Sequence, residues 1–194
     1  MKLTPRQIAA MAALIALNVA IGGLVHILQL PIFLDAIGTI VAALVLGAVP
    51  GMIVGAASFL VAAALVDPVY VYFVGTQAAI ALYAHVVATK LSGFRTTPRA
   101  VATGLGLGVV AAIVSAPVIV LVFGGVAGSG RDLITATLMA SGSRVVTAVF
   151  ASGAASEPID KTLQVLAAYA ILKSLPKRVL EPFKNDALTR NGLL

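Results

Sequence analysis

Few residues in this chain can do chemistry, and they fall at the ends of long apolar runs. The 194 residues hold seven Asp and Glu, thirteen Lys and Arg, two His and no Cys. Without cysteine there is neither a thiolate metal site nor a disulfide framework. The two histidines, His26 and His85, are 59 positions apart, so the H-E-x-x-H pair of a metalloprotease is absent. Ser141 and Ser143 fall at the outer end of the expected topology and His85 on the opposite side, which argues against an intramembrane serine protease. No G-x-x-x-x-G-K-[ST] cradle for nucleotide phosphates occurs. Catalysis is therefore not expected, and the scattered polar groups read as binding groups.

The candidate ligand contacts are His26, Asp35, Thr39, Tyr72, Gln77, Ser141, Arg144 and Glu157. Polar and ionisable groups inside apolar segments are costly, and so mark function by default. Tyr72 and Gln77, with Tyr70 and Thr76, combine aromatic faces with amide and hydroxyl groups, which suits a flat heterocycle. Each also has a structural reading. Asp35 can cap the helix it opens, with Thr39 one turn further on. His26 and Gln29 can sit in a solvated loop, and the tyrosines can anchor an interface. Arg144 needs a counter-charge from a ligand anion, Asp132 or Glu157. Glu157 and Lys161 are four residues apart on one helix face and can pair, but Pro158 loosens the ladder beside Glu157. Tyr83 and His85 read as structural.

The elements that carry these residues are set by hydrophobicity. The chain is 60% hydrophobic and 10% charged, with a mean hydropathy of +1.08. Soluble domains carry about 25% charged residues, so this composition implies a bilayer. A crossing helix needs about 20 apolar residues. The run 7–28 follows Lys2 and Arg6, and is too long for a signal-peptide core, so it reads as a retained span. Between Asp35 and Asp67 lie 31 uncharged residues, about 46 Å as one helix and too long for a core of about 30 Å. Pro50-Gly51 in the middle implies a hairpin of two short spans.

The expectation is an all-α integral membrane protein, a single domain of six transmembrane helices over about 7–28, 35–49, 50–66, 69–89, 100–124 and 145–175. Residues 125–144 form an outer loop, which can hold a short helix over 132–143, and 176–194 a tail. The last span bends near Pro158. A seven-span alternative divides 133–176 in two. Ten of the thirteen Lys and Arg cluster at residues 2–6, 90–99 and 173–190. Six spans put all three clusters on the cytoplasmic side with both termini, as the positive-inside rule requires. Asp35, Asp67, Arg131 and Asp132 then lie outside. Small residues at four-residue spacing (Ala9, Ala13 and Ala12, Ala16, Ala20; Gly47, Gly51, Gly55) allow close helix packing, within the chain or, for span one, against a partner. Gly104, Gly106 and Gly108 also read as helix packing.

Three segments together resemble the S component of energy-coupling factor (ECF) transporters. They are Leu30-Pro31-Ile32-Phe33-Leu34-Asp35-Ala36-Ile37-Gly38-Thr39 continuing to Pro50-Gly51 and Gly55, the N-terminal Thr4-Pro5-Arg6-Gln7-Ile8-Ala9-Ala10, and Asp160-Lys161 with Leu175-Pro176-Lys177-Arg178. They cover about half the chain and are specific to the broad family rather than to one substrate. The resemblance implies a multi-pass protein of the bacterial plasma membrane that binds a vitamin, a precursor or a similar micronutrient near the outer face. It implies two kinds of partner, a transmembrane coupling protein and two cytoplasmic ATPases, and no cofactor on this chain. It also implies that Ala9, Ala13 and Ala16 contact the coupling protein. A stand-alone secondary transporter and a ligand-sensing membrane domain are the alternatives.

Overall fold

Helix α1 (Pro5–Ile27) is started by a capping box: the Gln7 amide N–H donates to Thr4 Oγ1, and the Gln7 side chain accepts from the Thr4 amide. Pro5 at its first turn costs no hydrogen bond there. The computed structural model describes residues 3–194, so Lys2 of the first basic cluster lies outside the described residues. Those residues are 78% helical, with no strand among them. After α1 come α2 (Ile37–Val45), α3 (Ala48–Leu65), α4 (Val74–Val86), α5 (Thr97–Leu121), α6 (Asp132–Ala140), α7 (Val145–Ser174), α8 (Lys177–Leu180) and α9 (Asp186–Arg190). A 3-10 turn (Pro68–Phe73) leads into α4, and a π turn (Val87–Leu91) follows it.

Four helical runs are long and apolar enough to cross a membrane: Pro5–Ile27, Ala48–Leu65, Pro68–Leu91 and Thr97–Leu121. Helix α7 has 30 residues, ample in length, but carries Glu157, Asp160 and Lys161 in its middle. Helix α2 has only nine. The helix is thus shorter than the stretch 35–49 expected for the second span. Residues 28–36 do not cross as helix; they dip along α7 as irregular chain. That backbone is satisfied by α7 side chains: the Phe33 and Leu34 amides donate to Asp160 Oδ1 (2.9 and 3.0 Å), and the Ala36 amide to Gln164 Oε1 (2.8 Å). Irregular chain is tolerated in an apolar surrounding only where protein groups satisfy it in this way.

The hairpin turn is also displaced from its expected place. The break falls at Gly47, whose φ of +102° is open to glycine and strained for other residues. Pro50 lies inside the first turn of α3, where its missing N–H is harmless. Gly51 lets the α3 backbone lie directly on Ala43 of α2. The expected loop helix over 132–143 is present as α6, and α7 runs unbroken through Pro158.

Successive helices run up and down. One end of the bundle, here the upper, holds the end of α1, the 28–36 segment, Asp67 and α6. The lower end holds the 46–47 turn, residues 92–96 and the tail. The tail is folded: Leu180, Ala187, Leu188 and Leu193 are buried in the main core. Asn185 Nδ2 donates to the Leu44 and Val45 carbonyls (3.0 and 2.7 Å), closing the end of α2. Asn191 Oδ1 accepts from the Phe94 amide, and its Nδ2 donates to the Ala88 carbonyl.

Candidate functional site

Helix α7 is built with one polar face. Ser152, Ser156, Glu157, Asp160, Lys161 and Gln164 recur at helical spacing, and all are buried. Such groups are stable only when partnered. Asp160 is fully engaged: Oδ1 takes the two loop amides, and Oδ2 accepts from Lys161 Nζ (2.6 Å) and Gln164 Nε2 (2.7 Å). Lys161 Nζ also lies 3.6 Å from Asp35 Oδ1 and from Glu157 Oε2. The expected Glu157–Lys161 pair thus exists, but Asp160 holds the ammonium more closely. Glu157 Oε1 accepts from Arg131 Nη1 at 3.0 Å, so its guanidinium partner is Arg131 and not Arg144.

A second polar chain crosses the other helices. Asn18 of α1 donates through Nδ2 to Thr39 Oγ1 (3.0 Å) and Ser58 Oγ (3.1 Å), and accepts from the Gly38 amide at 2.7 Å. Thr39 Oγ1 donates to Gln77 Oε1 at 2.7 Å, and Gln77 Nε2 donates to the Asp35 carbonyl at 3.2 Å. Gly55 leaves room for this, since a Cβ there would collide with Gln77 and Thr39. One network thereby ties α1, α2, α3 and α4 to the residue that opens the cavity.

Between these two networks, at the upper end, lies a partly open cavity, about 640 Å³ when the solvent space at its mouth is included. Asp35, Gln77, Arg131, Glu157 and Lys161 supply its polar lining, and Phe33, Phe59, Tyr70 and Phe73 its aromatic walls. Phe33 is flanked by cations, with Lys161 Nζ 5.4 Å and the Arg131 guanidinium carbon 5.8 Å from its ring centre. Phe59 meets Tyr70 edge-on at 5.1 Å. His26 stands at the rim, its Nε2 3.3 Å from Asp67 Oδ2. Three buried atoms here have no hydrogen-bond partner: Asp35 Oδ1, Glu157 Oε2 and Arg131 Nε. Among the described residues, no group of three or more His, Cys, Asp or Glu is arranged to hold a metal ion.

Of the eight candidate contacts, His26, Asp35, Gln77 and Glu157 line this cavity. Thr39 is fully buried behind Gln77 and acts through it. The other three do not reach the cavity. Tyr72 is exposed and packs edge-on against Phe123 at 5.2 Å, because the 3-10 turn points Tyr70 inward instead. Ser141 is spent on the Thr137 carbonyl at the end of α6. Arg144 is exposed, one residue before α7 begins.

Arg131, Phe33, Phe59 and Asn18 were not among the expected contacts. Arg131 had a signal, a charged residue beside the glycine-rich stretch 124–130. The polar period of α7 was readable too, whereas nothing local marks Phe59. His85 is structural as expected, its Nδ1 lying 3.1 Å from the Ala43 carbonyl. Ala9, Ala13 and Ala16 are exposed along α1, facing away from the bundle. Glycines of α5 do pack as expected: Gly104 against Thr162, Gly106 against Tyr83 and Gly108 against Pro158. No protein-family model matches the chain, and neither the curated proteins nor the solved structures contain a match to it.

Proposed function

We propose that this chain is the substrate-binding membrane subunit of an ECF-type importer, capturing a vitamin-like micronutrient in the upper cavity from outside the cell. The observation that carries the reading is the cavity itself, walled by aromatic rings and lined by buried polar atoms to which the protein supplies no hydrogen bond. Ligand sites are characteristically apolar clefts with a few placed polar groups, and an unpaired buried polar group costs about 1–3 kcal/mol unless something occupies it. In this reading α1, α2 with its dipping segment, α3, the run Pro68–Leu91, α5 and α7 are the six crossings. Both termini lie in the cytoplasm beside the basic clusters, as the charge distribution favours.

The chain has no nucleotide-binding loop, so a coupling protein and two ATPases supply the energy. The exposed alanine stripe of α1 suits the coupling protein, because small residues let helices approach closely in lipid. Purified protein should carry a small molecule that mass spectrometry identifies, and Gln77→Ala should lose it while Arg144→Ala retains it. Uptake in cells should need the ATPase subunits. Uptake by this chain alone, insensitive to ATP depletion, would replace this reading with secondary transport.

A further inference from the structure

The charges around the cavity do not cancel. Asp160 and Lys161 form one closed pair, and Arg131 and Glu157 a second. Asp35 is left over. Its contact with Lys161 is 3.6 Å, beyond hydrogen-bond range, and that ammonium is already committed to Asp160. Counting Asp160, which holds Lys161 from outside the lining, the cluster has three carboxylates for two cations. The neighbouring acids do not reverse the sign, since Asp132 Oδ2 accepts from the Ala127 and Ser129 amides and Asp67 is shared between Val69 and His26. No Lys or Arg besides Arg131 and Lys161 lines the space.

The unpaired atoms point the same way. Asp35, Glu157 and Arg131 are 8%, 4% and 2% exposed. Between them they present two carboxylate oxygens without a hydrogen bond, Asp35 Oδ1 and Glu157 Oε2, each 3.6 Å from the Lys161 ammonium, and one donor without one, Arg131 Nε. We infer that the cavity takes a flat organic cation, an amino-substituted or protonated nitrogen heterocycle, whose N–H groups are received by Asp35 Oδ1 and Glu157 Oε2. Its ring lies among Phe59, Tyr70 and Phe73, and one ring acceptor faces Arg131 Nε. An uncompensated buried carboxylate is costly, and a bound cation removes that cost while gaining attraction from the aromatic faces. An anionic ligand would add a fourth negative charge beside three.

This inference rests on reading the cavity as a binding site, and three probes separate the two claims. Benzamidine, benzamide and benzoate share a flat shape and are cationic, neutral and anionic. Their binding is followed by fluorine NMR on purified full-length protein labelled with 3-fluorotyrosine, where the Tyr70 signal reports on the cavity wall. Benzamidine should shift that signal and bind about tenfold tighter than benzamide, with benzoate weakest, as a desolvated charge contact predicts. Asp35→Asn and Glu157→Gln should each abolish most of that preference. The probe order on the unaltered protein stands even if a variant fails to fold. Benzamide or benzoate binding as well as benzamidine would overturn the cation assignment and leave the binding cavity standing. If no probe moves the Tyr70 signal, the cavity reading falls and the cation assignment with it.

Discussion

Asp160 and Lys161, adjacent in the chain, close on each other at 2.6 Å while both are almost wholly buried. Adjacent residues on a helix ordinarily diverge, and here the pair converges because Asp160 is pinned from the other side by the Phe33 and Leu34 amides. The pair therefore does two jobs. It anchors the dipping segment against α7, and it holds an ammonium where Asp35 and Glu157 also face it.

Lys161→Met should destabilise the protein by about 3–5 kcal/mol, the usual cost of stranding a buried charge by removing its partner. Asp160→Asn together with Lys161→Met should recover part of that loss, because the asparagine oxygen still accepts from the two loop amides. Denaturant unfolding in detergent micelles measures both. A single variant as stable as the parent would mean the ammonium is not what neutralises this cluster.

Thr39 never touches the cavity yet should matter to it. Its hydroxyl accepts from Asn18 and donates to Gln77, so Thr39→Val removes a partner from both amides. The expected cost is about 1–3 kcal/mol for the groups left unpaired, with weaker retention of the co-purified ligand because Gln77 is freed. Thr39→Ser keeps the hydroxyl and should restore retention. Equal retention by both variants would separate Thr39 from the site.

The α5–α7 contact depends on missing side chains. A Cβ at Gly108 would run into the Pro158 backbone, and backbone cannot move aside as a side-chain tip can. Gly108→Ala should force the helices apart and lower the thermal midpoint by several degrees, as overpacking costs about 1–3 kcal/mol. Gly75→Ala meets open space and should be neutral or slightly stabilising, since alanine favours helix. Thermal unfolding of the two side by side checks this.

How much of this was legible in the sequence varies by element. Helix α1 follows from charge-free run length and the long helix α7 from the charge parity of six spans, and their ends agree with the expected 7–28 and 145–175 within about two residues. The second span, expected over 35–49, is helical only over Ile37–Val45, because hydropathy counts apolar residues and not their conformation. Residues 28–36, between the two expected spans, gave no sign of the α7 side chains that receive their amides. Asp35, Gln77 and Glu157 could be picked out one by one, being polar in apolar surroundings. Arg131 as the partner of Glu157 could not, because their 26-residue separation carries no local pattern. Tyr72 and Tyr70 differ only in phase, and the 3-10 turn that decides the phase comes from tertiary packing.

The outward face of α1 separates binding from transport. Ala9, Ala13 and Ala16 are exposed, so enlarging one of them does not disturb the core or the cavity. Ala13→Leu should leave the fold and ligand retention unchanged, because a leucine facing lipid meets no steric limit. Under the proposed function the same change should impair uptake, since its branched side chain holds a partner helix off where alanine allowed close approach. The measurement is uptake in cells expressing the complete transporter, with ligand retention by the purified variant measured in parallel. Normal uptake would move the docking surface to another face of the bundle. Loss of retention and uptake together would show instead that α1 shapes the cavity through Asn18, which lies on its opposite, buried side.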